Sequence, residues 1–252
     1  FAVGFGLADP VNLIAEANPD MYFVSIDGYS AHPNLKPLLY NMAESSYLAG
    51  YLAASYSTTK VVSTYGGQPF PAVTDFMDGF YFGAMAWGME NEVEVTVVGW
   101  DPVTQTGDFM GDFTPNSLIS KGIALSHIEA EADVFFPVAG DQFGAVSEAI
   151  KETGIDGVMI GVDKDIALTS PEYADLVLTS VEKRMTNAVY DIIAELSAGG
   201  EFSGEQYTGT LANGGTGLSP FYEFDAIIED ATKARLAELE AGIIAGEVDP
   251  KA

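Results

Sequence analysis

Short apolar runs in this chain alternate with segments whose apolar residues recur every three or four positions, the pattern of buried strands feeding amphipathic helices. The run Val158-Met159-Ile160-Gly161-Val162 stops abruptly at Asp163 and reads as a strand buried on both faces, as in parallel sheets covered by helices. Residues 1–5, 21–26, 61–65, 93–98, 134–139, 176–179 and 207–211 read as further strands. Helices are predicted over 9–17, 44–54, 73–85, 118–130, 143–152, 181–196 and about 225–245. This alternation predicts an α/β chain with doubly wound parallel sheets.

Local chemistry refines the pattern. Residues 27–37 hold two prolines and no periodicity and read as a loop, while Pro137 sets its strand at a sheet edge or near its own end. Gly50, Ala53 and Ala54 let the helix over 44–54 lie close to the sheet. Thr179 and Glu182 have capping-box spacing, which puts Lys183 in the first turn of the next helix, where the macrodipole disfavours a cation. Residues 101–115 form a long irregular passage, a length associated with function or mobility. Asn213 to Gly217 lacks the GK[ST] ending of a phosphate loop and reads as a tight crossing.

Several strands end at an acid: Asp9, Asp27, Asp101, Asp141 and Asp163 each follow one. Asp and Gly make good turns, but ligands of open α/β sheets gather beyond the carboxyl ends of the strands, so the repetition points to a shared cleft.

Composition removes several functions. With a formal net charge of −27 and only 10 Lys and Arg, the chain has no basic face for nucleic acid or for an anionic membrane surface. Such acidity predicts stability that rises with salt. The absence of cysteine excludes disulfides and thiolate metal sites. His32 and His127 are the only histidines, so a zinc site or a Ser-His-Asp triad has almost no material; His127 is expected on a helix surface. No metal or cofactor is expected. At 252 residues and 48% hydrophobic the chain is long and apolar enough for one large or two medium domains, and no apolar run approaches the ~20 residues of a membrane span. It opens in mid-strand without Met, so residues upstream of Phe1 are expected.

Taken in order, Val3-Gly4-Phe5 with Asp9, Phe23 to Asp27, Glu44 to Ala54, Tyr65-Gly66-Gly67 with Phe76-Met77-Asp78-Gly79-Phe80, Ala132 to Gly140, Ile160-Gly161-Val162-Asp163 and Leu178-Thr179-Ser180-Val181 with Lys183 resemble the basic membrane protein family. These are extracytoplasmic solute-binding lipoproteins of ABC transporters whose studied members bind purine nucleosides. The resemblance implies a type I periplasmic-binding-protein fold, two doubly wound parallel-sheet lobes joined by a hinge with the ligand in the interlobe cleft. Residues 1–59 with 176–205 would form the first lobe, 60–175 with 206–220 the second, and 221–252 a C-terminal helical segment. The family's first strand, whose turn reads the base, would lie upstream of Phe1, which leaves base specificity open.

The resemblance also implies ligand residues. Asp9 and Asp163 match acids that accept bonds from ribose hydroxyls, Lys183 a lysine that reaches the sugar or base edge, and Gly140 the turn after the Ala139 strand. Phe143 is the candidate for an aromatic face against the purine, with Trp100 behind it. The implied partners are adenosine, guanosine or inosine and an ABC permease, with membrane attachment only through a lipid anchor outside this chain. A sensory ectodomain, or the same fold holding a sugar or another small polar solute, is the alternative. An enzyme would have to rest on Asp163 and Lys183 as an acid/base pair with no nucleophile or metal set beside them, so none is expected.

Overall fold

The computed structural model describes residues 1–252. In chain order the elements are β1 (Ala2–Val3), α1 (Ala8–Ala17), β2 (Phe23–Ile26), β3 (Leu35–Tyr40), α2 (Met42–Tyr56), β4 (Val61–Gly66), α3 (Pro71–Asn91), β5 (Thr96–Val98), β6 (Trp100–Asp101), β7 (Thr106–Gly107), α4 (Leu118–Glu129), β8 (Val134–Val138) and α5 (Phe143–Thr153). They continue with β9 (Val158–Asp163), α6 (Ile166–Thr169), β10 (Val177–Lys183), α7 (Met185–Ser197), β11 (Tyr207–Gly209), β12 (Thr216–Leu218) and α8 (Asp230–Ala245). No helix is long and apolar enough to cross a membrane.

Two compact units share the chain. The first is Phe1–Asn41 with Lys183–Thr216, the second Met42–Glu182 with Gly217–Ala252. The first unit is a parallel sheet in the order β1-β2-β3-β11. Alternation of side chains along its strands splits the apolar residues between two faces. Val24, Ile26 and Leu38 pack under Ala188, Val189 and Ile192 of α7, while Phe23 and Leu35 pack against Val11 and Ala15 of α1. The sequence misses β3, because Pro37 lies inside it; the ring pairs across from Ser25, and the strand holds its place through its other residues.

The second unit carries a six-stranded sheet in the order β12-β10-β9-β8-β4-β5, parallel in each pairing from β10 to β5. Tyr65, Phe135, Phe136 and Met159 fill its centre and are fully buried. The chain leaves β4 for β5 on one side and returns to β8 on the other, so the order reverses between β4 and β8, the kind of crevice where α/β sheets hold ligands. Pro137 is the penultimate residue of β8, an interior strand, and so falls near the strand's end.

Helices α2 and α3 meet through glycine. A methyl group at Gly50 would strike the carbonyl oxygen of Phe80, one at Gly79 that of Ala43, and one at Gly83 that of Tyr47. The small residues of α2 thus admit another helix backbone where the sequence suggested close approach to the sheet. This packing sets α2 in the second unit rather than with residues 1–41. Residues 206–216 lie in the first unit, and 217–252 are part of the second.

Two further expectations are corrected. Strand β10 runs through Lys183, and α7 begins only at Met185, so Lys183 closes a strand and is not in a helical first turn. Pairing of Ser180, Val181 and Glu182 with Gly161, Val162 and Asp163 keeps the chain extended past the apparent capping box. His127 is buried, 4% exposed, and its ring bridges Ser63 Oγ at 2.7 Å from Nδ1 and Asp108 Oδ2 at 2.9 Å from Nε2. The order Ser-His-Asp is present, but Ser63 is fully buried in β4, and the trio fastens the start of the loop after β7 to the sheet.

Candidate functional site

In the first unit the predicted residues Asp9 and Lys183 are both tied to one turn, Asp27-Gly28-Tyr29, which follows β2. Asp9 stands exposed in the first turn of α1, where the positive end of the helix favours a carboxylate, and accepts a hydrogen bond of 2.6 Å from the Tyr29 hydroxyl. That bond raises the pKa of the Tyr29 hydroxyl above its usual value, with burial and the Asp9 charge adding to it. Lys183 donates from Nζ to Asp27 Oδ2 at 2.8 Å, and its ammonium stands 6.0 Å from the Tyr40 ring centre.

Asp27 takes a left-handed φ of 61°, which turns the chain at the end of β2. Gly28 is required beside it, because a Cβ there would run into Ser25 Oγ. The Tyr40 hydroxyl is buried without a hydrogen-bond partner, and burial, helped by Tyr207 and Asp27, pushes its ionisation far above the ordinary range. It stays a neutral donor beside the ion pair.

In the second unit the ends of β4, β8 and β9 carry Gly66-Gly67, Ala139-Gly140-Asp141 and Asp163. Gly140 has φ 69° and nothing within 4 Å of the place a side chain would start, so the backbone there is open. Asp163 ends β9 with φ 67°, paired in register with Glu182 of β10. Beyond it Asp165 accepts from Leu168 N at the start of α6 and from the Tyr222 hydroxyl at 2.5 Å.

Phe143 does not meet its expected role. Its side chain is 1% exposed in the core at the start of α5, so it has no face to offer. Trp100 is also excluded: it is 5% exposed, its indole N–H donates to Asp78 Oδ1 at 2.9 Å, and Phe109 meets its ring edge-on at 6.0 Å.

The open aromatic is Phe113, which the sequence reading passed over. It is 43% exposed, and a side chain on Gly67 would collide with three of its ring atoms, so the ring packs against glycine backbone at the end of β4. The loop that carries it is firmly held. Met110 N and Gly111 N donate to Gly66 O and Gly67 O, each at 2.9 Å, and Gln142 Nε2 donates to Thr114 O at 2.9 Å. Asn116 N donates to Asp141 O at 2.7 Å, while Asn116 Oδ1 accepts from Gly144 N and Ala145 N and so caps α5. An aromatic platform therefore stands at the point where the strand order reverses. The one local signal for it was a lone aromatic in a stretch of Gly, Asp, Thr and Pro.

The sequence matches the family described as Bmp, ABC transporter substrate-binding protein PnrA-like, over residues 1–250. It is 29% identical to basic membrane protein A of Borreliella burgdorferi over 74% of this chain and 52% of that protein. It is 28% identical to the ABC transporter nucleoside-binding protein BmpA of Lactococcus lactis subsp. cremoris over 98% of this chain and 69% of that one. The chain thus spans about half the length of the Borreliella protein. A solute-binding protein of an ABC transporter system from Aeropyrum pernix superposes with a TM-score of 0.82 at 21% identity, over 98% of this chain and 75% of that one, which shows the type I periplasmic-binding-protein fold.

Proposed function

The chain belongs to the Bmp family of PnrA-like ABC transporter substrate-binding proteins, a family of receptors and not of enzymes, and from that premise we propose that it binds a purine nucleoside for import. The observation that carries this reading is the Phe113 ring seated on Gly67 at the sheet's reversal point. An exposed ring backed by bare backbone suits a flat heterocycle, and stacking of a base on an aromatic ring contributes about 1–3 kcal/mol. In the second unit the Asp163 carboxylate suits the hydroxyl donors of ribose; in the first, Asp9 offers the same acceptor chemistry and Lys183 an ammonium for an oxygen or ring nitrogen. Gly140 leaves room for close backbone approach. The nucleoside-binding name of the Lactococcus relative supports the same ligand class. The receptor would work outside the cell membrane and deliver its ligand to an ABC permease.

Calorimetric titration of the folded, ligand-free protein with adenosine, guanosine, inosine and free ribose is the direct test. Saturable heat from at least one nucleoside, with ribose weaker, is expected. Flat traces for all three nucleosides reject the reading, and tighter binding of ribose replaces it with a sugar receptor.

A further inference from the structure

On the edge of its sheet opposite the strand ends described above, the second unit holds a cavity of about 510 Å³. It lies between the C-terminal halves of α2 and α3 and the start of α8, beside the residues that lead into β8 and β9. Its volume is that of a small-molecule site. Tyr56, Trp87 and Ile227 give it aromatic and aliphatic walls, and Ile227 is 63% exposed there.

The charges around the cavity divide into committed and uncommitted groups. Asp133 is satisfied by Ser57 Oγ at 2.5 Å, Thr58 N at 2.7 Å and Thr59 N at 3.1 Å. Arg235 is held by Glu90 at 2.6 Å and Glu238 at 2.9 Å. Lys60, next to the cavity, donates to Ala54 O and Ser55 O at 2.9 and 3.3 Å and stands 4.4 Å from the Trp87 ring centre. Asp156 and Glu229 also line the cavity, and their exposed carboxylates have no ion pair or hydrogen bond. Lys60 spends its donors on backbone carbonyls and covers one face of Trp87, so the charged lining groups without a partner are the carboxylates of Asp156 and Glu229.

We propose that this cavity is a second binding site, for an organic cation: an amine with an aromatic or alkyl body. The body would bury apolar surface against Trp87, Tyr56 and Ile227, and Asp156 and Glu229, away from the Trp87 face that Lys60 covers, would supply the counter-charge. An anion of the same shape meets two like charges and is rejected. The site is independent of nucleoside binding, because none of its residues belongs to the strand ends at which that ligand is proposed.

The chain has two tryptophans, Trp87 and Trp100, so ¹⁵N-labelled protein gives two indole N–H signals, assigned by the one that Trp87→Phe removes. Titration with 4-phenylbutylamine should shift the Trp87 signal saturably and leave that of Trp100 in place, while 4-phenylbutyrate should shift neither saturably. The exposed double variant Asp156→Asn/Glu229→Gln should keep its Trp100 signal and bind the amine about threefold or more weakly. The inference is overturned if the amine gives no saturable shift of Trp87, if amine and carboxylate bind equally, or if the double variant binds the amine as the wild type does.

Discussion

The ammonium of Lys183 lies 2.8 Å from the carboxylate of Asp27, and the two side chains are only 5% and 17% exposed. Both belong to the first unit, and Lys183 is its first residue after the chain leaves Glu182. A pair this far from water is mutually dependent, because either charge alone would be left in a poorly solvating site. Asp27→Asn and Lys183→Met should each cost about 2–4 kcal/mol in urea unfolding, and the double variant should recover about 1–3 kcal/mol of the summed loss. Costs that simply add would show that the two groups do not support each other.

Phe113 and Phe143 should separate affinity from stability. Phe113→Ala should weaken nucleoside binding by about 5- to 150-fold, the equivalent of one stacked base, with little change in Tm because the ring is 43% exposed. Phe143→Ala should cost about 3 kcal/mol or more of stability, since the ring is 1% exposed, and leave the affinity of the folded protein unchanged. Calorimetry and thermal melts on both variants check this; a swap of the two outcomes would return the binding role to Phe143.

The α2/α3 seam should tolerate no side chain at its crossings. Gly83→Ala points a methyl group at the Tyr47 carbonyl, and relief requires the two helix backbones to separate. The gain in helix propensity, under about 1 kcal/mol, is outweighed by overpacking of about 1–3 kcal/mol or more. A lowered Tm is expected for Gly83→Ala and Gly50→Ala alike. Gly122→Ala, on α4 with nothing within 4 Å of its new methyl, should instead match or exceed the wild type.

Acid should weaken the link between α3 and α8. Arg235 holds the Glu90 carboxyl below its ordinary value of 4.5, with the Tyr51 hydroxyl assisting and burial opposing. A carboxyl depressed on folding gives stability that is complete above 4.5 and disappears as pH falls through the lower folded value. Arg235→Gln should therefore cost a constant amount near neutrality, under about 1 kcal/mol because both side chains are more than a third exposed, and progressively less below pH 4.5. Urea midpoints measured across that range test it; a penalty that grows in acid would reverse the sign.

Salt should act in the opposite direction. With a formal net charge of −27, repulsion among exposed carboxylates opposes compaction, and raising salt from 0.1 to 1 M shortens the screening length from about 10 to 3 Å. Tm should rise over that interval in potassium chloride, and a flat or falling Tm would show that the charges are spaced too widely to matter.

What the sequence conveyed was whatever a short window encodes. The buried run ending at Asp163 and the alternation of strand and helix are local, and they mark the sheet edges that carry Gly140 and Asp163. Other features depend on partners distant in sequence. Thr179 and Glu182 look like a helix start until β9 pairs with them, and Gly50 declares close approach without saying that Phe80 is what approaches. Phe113 follows no period, and its exposure depends on the hydrogen bonds that its loop donates to Gly66 and Gly67 and accepts from Gln142. Phe143, by contrast, sits on a regular helix, and regularity there meant burial.

The discontinuity of the first unit has a consequence for biosynthesis. Once Asn41 has left the ribosome, roughly 140 residues must be translated before Lys183 and α7 appear, which takes about 7–30 s at ~5–20 residues per second. During that interval the nascent β2 and β3 lack the helix that will cover Val24, Ile26 and Leu38, and β3 lacks its neighbour β11. The nascent segment through β2 and β3 therefore stays uncovered until residues 183–216 emerge.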